Sequence, residues 1–171
     1  MYRFILLFVL GCIAFPAFAQ PADSTRKGFD EYREDGFVVV AFLISDSTFF
    51  ERWERPEPPR ITPDTRYIRG ETAYPVLVFQ SDAVDEAGNA HLTYDLTITK
   101  PDGSPFSGSP LRDLVAWENA PTPALSLGFT TVSLIIEEDD PLGAYGIEFE
   151  VRDENRGKTV PLSLSFVVTD E

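Results

Sequence analysis

Cysteine, histidine and basic side chains are scarce in this sequence, and each shortage removes a class of function. The one cysteine, Cys12, lies in an apolar N-terminal stretch, so the rest of the chain has no thiol, disulfide or thiolate metal site. The one histidine, His91, must serve in any histidine-dependent triad or general base. It stands beside a Gly-Asn loop tip, a common place for a solvated polar residue, and no Gly-x-Ser-x-Gly elbow accompanies it. Lys and Arg number 14 against 28 Asp and Glu, a formal charge of −14. Such a surface repels phosphate backbones and anionic lipid headgroups, which argues against nucleic acid as a partner. The same acidity keeps an exported protein soluble.

What is present begins with an export pattern. Arg3 supplies a positive start, residues 4–15 are nearly all apolar, and Ala17-Phe18-Ala19 offers small residues where signal peptidase needs them. The reading is a signal peptide over 1–19, cleaved before Gln20, and a periplasmic or secreted destination. The apolar run is short for a membrane span, which needs about 20 residues, so no span is expected after cleavage. Removing 19 of the 171 residues leaves 152, one domain's worth, carrying 13 basic and 28 acidic side chains.

Residues 20–35 (QPADSTRKGFDEYRED) are polar without an apolar period and read as a flexible leader. The domain is expected over 36–171. Phe37 to Ile44 (FVVVAFLI) reads as a buried strand. A short helical and proline-rich excursion follows over 45–63, where capping residues precede Phe49, Phe50 and Trp53 and several prolines end the helix. Thr72 to Phe79 reads as a strand that Pro75 places at an edge or bulge. Leu92, Tyr94, Leu96 and Ile98 alternate with Thr93, Asp95, Thr97 and Thr99, a strand with one wet face. Pro101-Asp102-Gly103-Ser104 is a turn. Leu111–Trp117, 124–129 and 131–136 are expected as short strands. Tyr145 to Val151 and Val160 to Val168 alternate around the loop Asp153–Gly157 and form a hairpin. Seven to nine strands, with no long helix between them, give an all-β antiparallel sandwich and exclude parallel βαβ architectures.

Asp140-Pro141-Leu142-Gly143-Ala144-Tyr145-Gly146-Ile147 resembles the corner before the penultimate strand of immunoglobulin-like domains. With Arg69-Gly70-Glu71, Tyr94-Asp95-Leu96 and Pro101-Asp102-Gly103, it makes residues 37–169 similar to exported bacterial proteins that carry such a domain. The resemblance implies an immunoglobulin-like sandwich. It also implies that the Tyr145 hydroxyl clamps the corner formed with Asp140 and Gly143. Ile147 stands where antibody domains have their second core cysteine, so the disulfide is missing. Fold alone assigns no chemistry.

Four candidate sites follow from residue types. Phe49, Phe50 and Trp53 either cap one open end of the sandwich or form an exposed patch for a protein partner. Asp82, Asp85, Glu86 and Asn89 in one loop, and Glu137, Glu138, Asp139 and Asp140 in another, offer hard oxygens of the kind calcium takes, without EF-hand spacing. Glu148 and Glu150 share one strand face, about 6.8 Å apart by strand rise, a spacing that could suit a glycosidase pair. Trp117 and Tyr67 are candidate stacking platforms for carbohydrate. The first expectation is a non-enzymatic, cofactor-free module that contacts another envelope protein through a sheet edge or the 45–63 segment. A calcium- or carbohydrate-binding module using the end loops is the alternative, with a glycoside hydrolase a third.

Overall fold

The structure, a computed structural model, describes residues 27–57 and 59–170. The expected signal peptide and the first part of the expected leader lie outside the described residues. The rest of that leader is corrected, because Phe29–Glu34 is a strand, β1. It forms a hairpin with β2, Phe37–Ile44, around Asp35-Gly36, and Glu34 faces Phe37. Gly36 takes φ +70°, and any Cβ there would overlap the Asp82 carboxylate. Asp-Gly between two strands is the local hairpin signal. It was legible in the sequence but obscured by the polar composition of FDEYRE.

β2 is buried on both faces, which explains its unbroken apolar run. Phe37, Val39, Ala41 and Leu43 enter the main core, whereas Val40, Phe42 and Ile44 join a second cluster on the opposite face. The helix α1, Thr48–Trp53, covers that second face. It starts where the Asp46 carboxylate accepts the Thr48 N–H (2.9 Å) and hydroxyl (2.7 Å). These bonds to Thr48 hold the Asp46 carboxyl below its usual range. β3 (Arg66–Ile68) and β4 (Thr72–Ser81) follow the proline-rich stretch.

β4 lies inside its sheet, and its register with β2 runs unbroken through Pro75, where an edge or a bulge was expected. β2 pairs along one side, and β7 (Ser126–Leu127) and β8 (Leu134–Ile135) pair along the other. Gly128 N–H bonds to Leu77 O, so residues of that parity face β7 and β8. Pro75 has the same parity and falls in the interval between those two short strands, where its missing N–H leaves no ladder bond unmade.

The second sheet has the order β3-β10-β9-β5-β6, with β5 at Leu92–Thr99, β6 at Leu111–Trp117, β9 at Gly143–Asp153 and β10 at Lys158–Thr169. β3 runs parallel to β10 and the other pairs are antiparallel. The inward residues of β5, β9 and β10 meet those of β2 and β4 in one core, as the alternation required. Ten strands are described, β1 and β3 being those the sequence reading did not count.

Both flanks are laced. On one, Ser165 N–H bonds to Lys27 O (2.9 Å), Ser163 N–H to the Asp30 carboxylate (2.8 Å) and Val167 N–H to Thr65 O (3.0 Å). Pro161 on the same strand has no donor to satisfy. On the other, Gly128 N–H reaches Leu77 O and Phe129 N–H reaches Ala116 O, both at 2.9 Å, tying one sheet to the other. These bonds occupy strand edges that a partner strand would otherwise use.

Candidate functional site

The corner before β9 joins three loops. The Tyr145 hydroxyl donates to Pro141 O at 2.8 Å, and its ring stacks on Phe166 at 5.1 Å. Burial, then the nearby Asp140 charge, push that hydroxyl's pKa up to about 12. Asp140 is 6% exposed. Its carboxylate accepts from Lys100 Nζ (2.8 Å) and Glu137 N–H (2.9 Å), and its carbonyl accepts from Arg69 Nε and Nη2. Gly143 takes φ +128°, and a Cβ there would lie 3.1 Å from Pro101. Arg69, Lys100 and Asp140, from separate loops, therefore converge on one clamp. These bonds all end on backbone or on another member of the clamp, which gives the corner a structural role.

The outer face of the second sheet has a different character. Asp95 on β5, 8% exposed, accepts from Arg152 Nη2 (2.8 Å), Asp113 N–H (2.9 Å) and Arg112 Nη1 (2.6 Å). The Arg152 bond foremost, then the Asp113 N–H, hold its carboxyl far below the ordinary range. Asp113 sits at φ +51°, a conformation that costs a non-glycine residue about 1 kcal/mol or more. Its bond to Asp95 maintains it. Cross-strand register explains the network: Asp95 lies directly opposite Glu150, and Thr97 opposite Glu148. Like charges face to face destabilise a sheet, and Arg152 offsets this by binding Asp95 and reaching Glu150 at 3.4 Å. A shallow groove of about 430 Å³ crosses this face, lined by Asp95, Thr97, Arg112, Glu148, Glu150 and Ser163.

The aromatic segment lies elsewhere. Phe49 is 2% exposed and Phe50 and Trp53 are half-buried, so the three do not form an open patch. They do not cap an end of the sandwich either. They pack on the outer side of β2 and β4, with Phe49 against Phe42 at 5.5 Å and Phe50 against Tyr74 at 5.6 Å. Asp82 pairs with Arg156. Asp85 accepts from Ala87 N–H and Asn89 N–H within its own loop, and Glu86 is exposed. The four residues of that loop do not converge on a point, and among the described residues no group of three His, Cys, Asp or Glu forms a metal set. Glu148 and Glu150 point outward from one strand. They would meet a sugar from the same side instead of flanking its bond. His91 is half-buried, with Nε2 3.3 Å from Glu118.

Tyr67 is corrected as a platform. It is 1% exposed, packed edge-on against Phe166, and burial raises its pKa. Trp117 is half-buried and its ring is stacked at 4.5 Å by Phe129, which is 54% exposed. Sequence reasoning passed over Phe129, Arg112 and Arg152. Phe129 carries no strand alternation to mark it, and the two arginines acquire meaning only through cross-strand neighbours.

No family model matches this chain, and no curated protein matches it. Among solved structures, a family 123 glycoside hydrolase from Clostridium perfringens aligns at TM-score 0.45 and 11% identity, over 78% of this chain and 27% of that one. The alkylpurine DNA glycosylase AlkC of Pseudomonas fluorescens aligns at 0.37 and 17%, over 61% and 27%. A Niemann-Pick type C2 protein from Japanese carpenter ant aligns at 0.36 and 11%, over 86% and 97%. The chain spans about a quarter of the length of the first two. At these scores none of the three bears on activity.

Proposed function

We propose that this chain is an exported, non-enzymatic protein-interaction module with an immunoglobulin-like sandwich, and that the outer face of the β5–β6–β9–β10 sheet receives another envelope protein. The export part rests on the residue pattern at 1–19. The immunoglobulin-like part draws support from three adjacent strands, β5, β9 and β10, arranged as the C, F and G strands of that fold, and from the tyrosine bond at the corner before β9. The surface rests on one observation: its groove is lined by charges of both signs, of which Arg112 is bound by Asp95 and Glu150 is reached by the Asp95-bound Arg152. Preorganised charge of both signs sets register and partner choice at an interface. The hydrogen bonds along both flanks leave this face as the better surface than a sheet edge.

The test is capture from envelope extracts with wild type, a Glu148→Lys/Glu150→Lys variant and a Glu86→Lys control. A protein captured by wild type and control but lost from the groove variant supports the reading. A protein captured equally by all three overturns it. A carbohydrate-binding role is the second reading, favoured by the exposed Phe129 ring held flat on Trp117. It expects a saturable thermal shift with a glycan that Phe129→Ala removes.

A further inference from the structure

One stretch of the laced flank is open. Thr130 is held at both its side chain and its carbonyl, by Val115 O at 2.8 Å and the Tyr94 hydroxyl at 3.1 Å. Leu134 is held by β4. Between these anchors, and among the described residues, Thr131, Val132 and Ser133 take part in no hydrogen bond. Behind this strip the core opens sideways into an apolar chamber of about 210 Å³, lined chiefly by Ile98, Phe106, Leu111, Val132 and Leu134. Ile98 and Leu134 are buried core residues, whereas Phe106, Leu111 and Val132 are half-buried. A second depression of about 310 Å³ adjoins it and shares Phe106, Ser107 and Ser133 with it. Its lining includes Lys100, Glu137, Asp139 and Asp140. Lys100 is already paired with Asp140 at 2.8 Å and lies over the Phe106 ring. That leaves the exposed carboxylates of Glu137 and Asp139 at the mouth outside the pair.

We infer that this flank is a binding site for a small cationic amphiphile: a short alkyl chain enters the chamber beside Val132 and Ser133, and an ammonium head rests against Glu137 and Asp139. The two halves of the site select different parts of the ligand. Apolar surface with few polar groups selects an alkyl chain. These two exposed carboxylates, neither of them in an ion pair among the described residues, select a positive head over a negative one by charge complementarity. The strip without hydrogen bonds can move aside without breaking a ladder, which gives the chain a way in. The site is separate from the groove on the outer sheet face, so either can fail alone.

The probes are hexyltrimethylammonium chloride, hexyl sulfate with the same tail and opposite head, and tetramethylammonium, the head alone. Backbone amide NMR on the exported chain reads the binding. The expected result is saturable shifts at Ser107, Val132 and Ser133 with hexyltrimethylammonium, at least about tenfold weaker with either other probe. Val132→Phe, which fills the chamber, lowers that affinity about tenfold or more. Glu137→Gln/Asp139→Asn leaves the chamber intact and removes the preference over hexyl sulfate. Shifts that do not saturate, that fall elsewhere on the surface, or that are equal for the two hexyl probes overturn the inference. A Val132→Phe protein with a native spectrum and unchanged affinity overturns it as well.

Discussion

At the scale of single residues, two side chains do most to hold irregular backbone in place. The Tyr145 hydroxyl bonds to Pro141 O across four residues, in a site already buried against Phe166. Tyr145→Phe keeps the ring and removes the bond, and it is expected to lower stability by about 1 kcal/mol in urea denaturation. Asp95 carries more, because three donors converge on it. Asp95→Asn is expected to lose about 2 kcal/mol at pH 7. The pH dependence has a definite sign. The folded-state pKa of Asp95 lies below its unfolded value of about 3.9. Its stabilisation is therefore complete above roughly pH 5 and is lost as pH falls toward the folded pKa. The stability difference between wild type and Asp95→Asn should shrink steadily between about pH 5 and pH 2 in urea titrations. A difference that stayed constant with pH would show that Asp95 acts through packing alone. The alternation put Asp95 on the outward face of its strand, and that much was legible, but the structure buries it there at 8% exposure where a wet face was expected. The arginines that make it a hub come from β6 and β9, and their arrival depends on register.

At the scale of elements, the clean strands were the legible ones. β5, β9 and β10 alternate strictly, and the structure buries Tyr145, Ile147, Phe149 and Val151 while leaving Glu148 and Glu150 exposed. The apolar run of β2 marks a buried strand, but a continuous run does not say what lies on each side. The second side is supplied by α1, and this decides the role of the aromatic segment. Phe49 touches Phe42, Phe50 and Trp53 within one cluster. Phe49→Ala is expected to cost about 3–5 kcal/mol, the range for deleting a buried aromatic ring. Thermal denaturation followed by circular dichroism would register the loss, and Trp53 fluorescence should move toward that of an exposed indole. A variant of undiminished stability would restore the exposed-patch reading of this segment. β1 and β3 are not legible in the sequence because their six and three residues carry no apolar alternation. Their pairing is dictated by the strands they meet.

At the scale of the whole molecule, two apolar clusters share one pair of strands. β2 and β4 supply side chains to both the main core and the cluster under α1, and hydrogen bonds lace the two sheets along both flanks. A molecule wired in this way should unfold as one unit. Trp53 reports the outer cluster and Trp117 borders the main core. Trp117→Phe and Trp53→Phe each leave one reporter. The fluorescence midpoint in urea should coincide with the circular dichroism midpoint within each variant. Separate midpoints would mean that the α1 layer melts independently. By itself the sequence determined which side chains face inward on the alternating strands, where the turns fall, and that the class is all-β, because a period of two and turn chemistry are local properties. Only the tertiary structure decided that β4 is interior, that Phe49 and Tyr67 are covered, and that Asp95, Arg112 and Arg152 meet. Those outcomes depend on which distant strands pair and in what register, and a one-residue slip would have turned each face the other way.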